Sequence, residues 1–394
     1  MKKEFTNKRI NCVDIAMAFS ICLPGINSVL GFSGASAVTL SGLVIMLVFC
    51  FIKRKLSANL SMLIIPSCII VCFLISIIIG NDVSIIMEYF TKFLGLGIVA
   101  LIISQQDFNE YNVIKCITMM GPVVILVILF RNLAGDVNYI NKGMMMGAIY
   151  SIMPVTLAAI QGIAFKGIPR FCSIADLFLS AIVIVKFGQR GAIVVVAVYI
   201  WIVIYAWYTK SKNRAAVKKI KAAIFLVLSL VIVLIIVFYF EQILMSVNDI
   251  IESCTGVRVY AIDKYFRKLD AGDTSGGRMD LWKSSLELIK DKMMLGSGIG
   301  YFESLSGGSY CHNVFLQAAC EFGFIFVIPV LILFFGAVRK ILCKQISSER
   351  DKYDYYLFSI LFCNGMVVLL YSSVYWINIQ FWLFVGYYLR KKKR

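Results

Sequence analysis

A single histidine occurs in the 394 residues, within the stretch "GGSYCHNVFLQAACEFG" that begins at residue 307. With an ordinary pKa of about 6.5, an imidazole is the side chain best suited to accept a proton from a hydroxyl near neutral pH. We therefore expect His312 to act as a general base, with Asn313 orienting its ring or a substrate hydroxyl. A structural role is the alternative for a lone histidine, and a carboxylate such as Asp273 or Asp280 could accept the proton instead.

Three cationic side chains occur at positions that suit an anion site. Lys186 and Arg190 flank the turn in "VKFGQRGA", and Arg278 follows two glycines in "TSGGRMDLW", at the start of a predicted helix. A guanidinium binds phosphate oxygens through two parallel hydrogen bonds, and the free N–H groups of a helix N-terminus also favour an anion. The alternative is that Lys186 and Arg190 reach the lipid headgroups and that Arg278 is a solvated surface residue.

Several common catalytic signatures do not occur in the sequence. It has no DxD pair, no HExxH, no P-loop and no GxSxG elbow. The glycines of "LGSGIG", residues 295–300, lack the preceding strand of a dinucleotide-binding unit, so they predict a tight turn instead. An energy-rich donor for group transfer could be a lipid pyrophosphate delivered within the membrane. The cationic residues could bind its negatively charged pyrophosphate. We expect no metal ion and no cofactor.

The elements that hold these residues are predicted to be membrane-spanning helices. Apolar residues make up 60% of the chain and charged residues only 15%, which is too apolar for a surface in water. Apolar runs of about 17–25 residues recur, each long enough to cross the hydrocarbon core as a helix. The fold class is therefore an all-α integral membrane protein, with residues 1–394 as a single polytopic domain. Its twelve predicted spans are at about 11–31, 34–52, 60–79, 83–104, 113–131, 143–165, 171–187, 191–208, 222–240, 312–338, 355–372 and 374–389.

The distribution of lysine and arginine predicts the orientation of these spans. Most of these residues fall in alternate connections and at the two termini, including "TKSKNRAAVKKIK" and the final "RKKKR". By the positive-inside rule, both termini are cytoplasmic. The net charge of +17 then indicates a basic inner face against anionic lipid rather than binding to nucleic acid. A cleaved signal peptide ending near residue 37 is the alternative for the first apolar run.

Residues 241–311 form one long polar segment, which this topology places outside the cytoplasm. Within it, "MDLWKSSLELIKDKMM" predicts an amphipathic helix near 279–294. Its apolar face would carry Trp282, Leu286, Ile289 and Met293. Cys254 and Cys311 lie on the outer side and could form a disulfide.

The charged residues within the spans are expected to be paired or buried, because an isolated charge in the hydrocarbon core costs about 2.5–3.5 kcal/mol. Glu88 and Lys92 lie four residues apart and can pair on one helix face. Asp14, Asp176 and Glu321 are predicted to face the helix bundle. Glu321 lies too far along its helix to contact His312, so we interpret it as a buried structural partner.

The order of these features resembles the O-antigen polymerase and O-antigen ligase family. The resemblance is carried by an Arg-Gly turn at the outer end of a span, then "SGGRMDLW", "LGSGIGYF" and "YCHNVFLQAACEFG" around a long outer loop. Members are metal-independent glycosyltransferases that take a glycan from undecaprenyl pyrophosphate on the outer face of the bacterial cytoplasmic membrane. The resemblance implies that Arg190 and Arg278 bind the pyrophosphate and that His312 activates the acceptor hydroxyl. The sequence departs from the family pattern at Gln189, where serine is frequent, and at Met294, where proline is frequent.

Within this family, we favour a polymerase that joins undecaprenyl-pyrophosphate-linked repeat units of an O-antigen, capsule or exopolysaccharide, because no added domain is evident. A ligase that transfers the glycan to a lipopolysaccharide core is the alternative. A transporter or flippase of lipid-linked sugars is the non-enzymatic alternative, but paired halves with broken helices are not evident. The expected partners are lipid-linked donor and acceptor, membrane lipids, a chain-length regulator and a flippase.

Overall fold

The computed structural model describes residues 9–30, 35–52, 61–133, 142–187, 190–209, 220–229, 239–256, 258, 260–270 and 278–390. All regular elements in these ranges are helices. In chain order, with α1 first, they are Cys12–Leu30, Ala35–Ile52, Ser61–Ile78, Val83–Ser104, Glu110–Leu133, Lys142–Gly162, Ile168–Phe187, Arg190–Thr209, Ile220–Ser229, Phe240–Thr255, Tyr260–Asp270, Arg278–Asp291, Tyr301–Leu305, Val314–Cys343, Glu349–Leu370 and, as α16, Ile379–Leu389.

The prediction of an all-helical membrane protein is confirmed. A helix occurs at each of the twelve predicted spans, although α9 is described only over the first part of its span. Five helices in the described ranges, α4, α5, α8, α14 and α15, are long and apolar enough to cross a membrane, and six further apolar helices are shorter. The chain is therefore a multi-pass membrane protein, while the count of twelve spans and their orientation stay predictions.

One end of the bundle is held by buried ionic and polar contacts. Asp14 of α1 accepts hydrogen bonds from the Asn109 backbone N–H at 2.8 Å and from Asn112 Nδ2 at 2.9 Å. Arg390, which follows α16, lies 3.1 Å from the buried carboxylate of Glu110. These contacts tie α1, α5 and α16 together, and they confirm that Asp14 faces the bundle.

The opposite end is where the long polar segment rejoins the bundle. Here Asn81, between α3 and α4, donates to the Ser297 and Ile299 carbonyls at 2.8 and 3.2 Å. Asn313, at the start of α14, donates to the Leu370 carbonyl at the end of α15. The ends that the sequence predicts to lie outside the cytoplasm therefore meet in space.

The glycine-rich turn of residues 295–300 docks into a break in α14. Gly323 has φ 65° and ψ −168°, which interrupts the helix, and its Cα lies against the Met294 carbonyl with no room for a Cβ. At this break, the backbone N–H groups of Ser297 and Gly298 donate to the carbonyls of Cys320 and Glu321 at 2.7 and 2.8 Å. Gly296, Gly298 and Gly300 all have positive φ, which confirms the predicted tight turn.

Helix α12, Arg278–Asp291, lies where the amphipathic helix was predicted, but its packed face differs. Ser285 and Ile289 are buried, whereas Leu286 and Met293 are about half exposed. Two residues of the predicted apolar stripe contact the bundle, because Ile289 is buried and the Trp282 indole N–H donates to the Cys311 carbonyl. The packed face also includes Ser285, whose carbonyl approaches the Cys320 thiol and which the sequence pattern did not reveal.

The remaining intramembrane charges follow the predictions. Glu88 and Lys92 form an ion pair on α4. Asp176 is fully buried in α7 and faces Gly121 of α5, where a Cβ would overlap its carboxylate. Glu321 is also buried, and its partners are described below with the site.

Candidate functional site at the end of the helix bundle

His312 is held in a strained backbone conformation by its two neighbours. Its φ is 53°, in the left-handed region that side chains other than glycine rarely adopt. On one side, the Cys311 N–H donates to Gln317 Oε1 at 3.0 Å. On the other side, Asn313 caps α14 by accepting hydrogen bonds from the backbone N–H groups of the second and third residues of the helix. The cap and the Cys311 contact together fix where the imidazole lies, and non-glycine residues in such strained conformations cluster at functional sites.

The imidazole of His312 packs against a tyrosine and has one buried nitrogen without a hydrogen-bond partner among the described residues. Its ring packs against Tyr310 with the centroids 4.2 Å apart. Nδ1 is buried and has no hydrogen-bond partner among the described residues. Burial, and secondly the positive charge of Arg278, lower the pKa of His312 to about 4, so the ring is neutral at pH 7. A neutral imidazole is the form required of a general base.

Arg278 is the first residue of α12 and is half-buried. Its positive charge acts on His312, on Tyr310, on Tyr150 of α6 and on Tyr371. These five side chains therefore share one site, although they come from segments far apart in the sequence. Arg278 and His312 were predicted to lie together, and the charge of Arg278 does act on the imidazole, while their roles in binding and catalysis stay predictions.

The Arg190–Gly191 turn reaches the same site through its backbone. Tyr371 donates from its hydroxyl to the Gly191 carbonyl at 2.7 Å. Gly191 also lies against Tyr150, and a Cβ at this position would overlap the phenol oxygen. The backbone at the start of α8 thus contacts Tyr150 and Tyr371, the two tyrosines on which the positive charge of Arg278 also acts. The side chains of Lys186 and Arg190 fall outside the described residues, so their role in binding stays a prediction.

A cavity of about 460 Å³ opens beside His312. Its polar lining comes from α6, the loop before α14, the end of α15 and the start of α16. The lining includes Tyr150, Ser151, Tyr310, His312, Asn364, Ser372, Ser373, Asn378 and Gln380. Apart from His312, the sequence analysis assigned none of these residues to the site. The signal that could have revealed them is the occurrence of polar side chains within apolar spans, which usually marks an internal cavity or pathway.

Ser373 is the second strained residue of the cavity wall. It has φ 65°, and His312 is the other non-glycine residue with positive φ in the described ranges. The Ser373 N–H donates to the Tyr310 hydroxyl at 3.2 Å, which joins the loop between α15 and α16 to the loop that carries His312. Both strained residues therefore lie in the cavity wall and are connected through one tyrosine.

Behind the cavity, Gln317 joins two buried carboxyl groups. It donates to Glu303 of α13 at 2.8 Å and to Glu321 of α14 at 2.6 Å. Glu321 also accepts hydrogen bonds from Tyr375 and Trp376. Burial raises the pKa of Glu303. The prediction that Glu321 is a buried structural partner is confirmed, because these contacts hold the polar segment and the α15–α16 loop against α14.

No metal or disulfide site is assigned here. Within the described ranges, no group of three His, Cys, Asp or Glu side chains could hold a metal ion. Cys311 is a free, buried thiol with its Sγ 3.9 Å from that of Cys320. The Cys254 side chain lies outside the described residues, so its pairing with Cys311 is not supported.

Comparison with known proteins connects this site to one family. Residues 176–335 match the family model described as O-antigen ligase, and the matched stretch includes Arg190, Arg278 and His312. No curated protein matches the chain. The resemblance predicted from the sequence is confirmed over these residues, which form a domain of a family of membrane enzymes that transfer glycans.

Proposed function

We propose, from the O-antigen ligase family domain in this chain and the site described above, that the protein is a polymerase of undecaprenyl-pyrophosphate-linked oligosaccharide repeat units. The observation that carries this proposal is the meeting of three features at one end of the bundle. These are the Arg278 charge, the free Nδ1 of His312 and the Arg190–Gly191 backbone. A guanidinium suits a pyrophosphate, and a neutral imidazole suits proton removal from a sugar hydroxyl.

The proposed reaction is a single displacement with inversion of configuration. The acceptor hydroxyl oxygen forms a bond to the anomeric carbon of the donor as the bond from that carbon to the pyrophosphate oxygen breaks. His312 takes the hydroxyl proton, and the electron pair of the broken bond leaves with undecaprenyl pyrophosphate. Arg278 and Arg190 stabilise the charge that develops on the leaving group. The proton then passes from the imidazole to water or to the departing pyrophosphate.

Donor binding is expected to strengthen the base. The positive charge of Arg278 contributes to the low pKa of His312. A bound pyrophosphate supplies negative charge beside the same guanidinium, so it offsets that effect and raises the pKa of the imidazole. His312 would then become a better proton acceptor only when the leaving group is in place.

The other predicted residues have supporting roles. Lys186 would supply a second positive charge near the pyrophosphate, while Asn313, through its helix cap, would set the position of His312. The site would face the outside of the bacterial cytoplasmic membrane, where lipid-linked repeats are delivered by a flippase and a regulator can set chain length. The acceptor of a polymerase is a second lipid-linked repeat.

Ligation to a lipopolysaccharide core is the second candidate, because the matching family model is described as O-antigen ligase. Purified protein in lipid nanodiscs, given only lipid-linked repeats, separates the two. A ladder of longer lipid-linked products supports the polymerase. Products that form only after core lipid is added would instead identify a ligase.

The site residues are tested in the same assay. We expect near-complete loss of product for His312→Ala, and severe loss for Arg190→Lys and Arg278→Lys, because lysine keeps the charge but not the two-pronged geometry. Arg170→Lys is the matched control, since Arg170 is an exposed arginine near the start of α7. Ordinary activity of His312→Ala at unchanged protein level would remove the general-base assignment. Transbilayer movement of substrate in liposomes without a new glycosidic bond would favour the transporter.

A further inference from the structure

The cavity beside His312 differs chemically from the cationic side of the site. Among the described residues that line it, none is a lysine, arginine, aspartate or glutamate. Its volume of about 460 Å³ lies in the range of small-molecule sites, roughly 300–1,000 Å³. An anion would find no cation among these described lining residues, which favours a neutral polar ligand.

Asn364 lines this cavity and has a buried hydrogen-bond acceptor without a partner. It lies in the π-helical turn Cys363–Val367 of α15 and is 3% exposed. Its Nδ2 donates to the Ile360 carbonyl at 2.9 Å, while its Oδ1 is buried without a partner. A carbonyl can only accept, so the amide must direct its NH₂ group to Ile360 and its oxygen elsewhere. The hydrogen bond to the Ile360 carbonyl therefore determines the orientation of the amide.

Gln380 repeats this arrangement from a different helix. It is the second residue of α16, is 6% exposed, and donates from Nε2 to the Ile21 carbonyl of α1 at 2.5 Å. Its Oε1 is buried without a hydrogen-bond partner in the described structure. In both side chains, the amide nitrogen donates to a backbone carbonyl and the amide oxygen has no hydrogen-bond partner. Both residues line the same cavity.

Buried acceptors without partners are rare in folded proteins because their desolvation is not compensated. Here two such atoms, Asn364 Oδ1 and Gln380 Oε1, belong to residues of one cavity wall, and His312, whose Nδ1 also lacks a partner, lines the same cavity. A ligand that satisfies them must supply several hydrogen-bond donors and carry no negative charge. Sugar hydroxyls, or the N–H of an N-acetyl group, meet both requirements.

We propose that this cavity is the subsite for the acceptor sugar, and that Asn364 and Gln380 bind its hydroxyl or amide hydrogens while the attacking hydroxyl faces His312. This inference rests on the proposed function for its place in the reaction. It divides the site into a neutral sugar side and a cationic pyrophosphate side around Arg278. Asn364 and Gln380 then determine which acceptor sugars can be extended.

The test is direct binding of small probes to the full-length protein in nanodiscs. Saturation-transfer NMR is measured with the methyl glycosides of glucose, galactose, mannose and N-acetylglucosamine, and separately with inorganic pyrophosphate. We expect at least one glycoside to bind the wild type. Asn364→Leu and Gln380→Leu should each weaken that binding by about tenfold or more, the usual effect of losing a buried hydrogen bond. Arg278→Gln should weaken pyrophosphate binding and leave glycoside binding unchanged.

A second variant fills the cavity without removing any contact. Gly147 of α6 lines the cavity, and a Cβ added there would meet no atom within 4 Å. Gly147→Leu should therefore fold and block the glycosides, whereas its matched control Gly147→Ala should bind them nearly as the wild type does. Binding of none of the four glycosides overturns the proposal, as does binding that persists in both Asn364→Leu and Gly147→Leu.

The two proposals can fail separately. If the glycosides bind as expected but lipid-linked repeats yield no polymer, the proposed function fails and the sugar subsite stands. If polymer forms at the wild-type rate in both Gly147→Leu and Asn364→Leu, the subsite is wrong and the proposed function stands.

Discussion

The protonation of His312 can be measured directly, because this residue is the only histidine in the chain. Burial and the charge of Arg278 lower its pKa to about 4. Protein labelled with ¹⁵N-histidine, purified through a tag without histidine, would give the signals of one imidazole. We expect its titration midpoint near pH 4, well below the value of about 6.5 for an unperturbed histidine.

The difference is large at mildly acidic pH. At pH 5.5, an unperturbed histidine is roughly nine-tenths protonated, whereas one with a pKa of about 4 is only about 3% protonated. A general base works in its neutral form, so activity is retained above the pKa and lost as the pH falls through it. The acid limb of kcat/KM, which reports the free enzyme, should therefore lie near pH 4 rather than near 6.5.

Two perturbations separate the causes of the low pKa. Arg278→Gln removes the electrostatic contribution and should raise the midpoint, but only part of the way, because burial is the larger cause. Inorganic pyrophosphate added to the wild type should also raise it. Arg170→Gln is the control and should leave the midpoint unchanged.

A midpoint at or above 6.5 in the wild type would refute the burial of this imidazole beside Arg278. An identical midpoint in Arg278→Gln would show that the two side chains do not share a site. Either result would remove the main observation on which the proposed function depends, whereas the cavity could still bind a neutral sugar.

Two further predictions concern packing at the two ends of the bundle. Gly191→Ala should reduce glycan transfer by roughly a hundredfold in the nanodisc assay, because its Cβ would displace Tyr150 and shift the site by about 1 Å, whereas Gly147→Ala should not. Wild-type rates in Gly191→Ala would contradict this placement. Arg390→Ala should lower the free energy of unfolding by about 3–5 kcal/mol in denaturant titrations, because it removes the guanidinium that pairs with the fully buried Glu110 carboxylate. An unchanged unfolding midpoint would mean that the pair contributes nothing.

The helices and the cationic residues of the site could be predicted before the structure. Span positions follow from apolar length, because the hydrocarbon core imposes nearly the same length on every crossing helix. His312 and Arg278 could be singled out because a sole histidine and an arginine after two glycines stand apart from an apolar background. The burial of Ser285 on α12 could not be predicted, since serine is polar and its packing against α14, where its carbonyl approaches the Cys320 thiol, depends on tertiary structure.

The sequence by itself determined that this protein is a bundle of apolar helices with basic connections and a few polar residues at one set of helix ends. It could do so because partition between lipid and water acts on each segment separately. Only the tertiary structure decided that Tyr150, Asn364, Ser373 and Gln380 surround one cavity with His312. These residues come from separate helices and loops. Their convergence depends on helix packing, on the break at Gly323 and on the left-handed backbone of His312 and Ser373. No single segment of the sequence determines how these features combine.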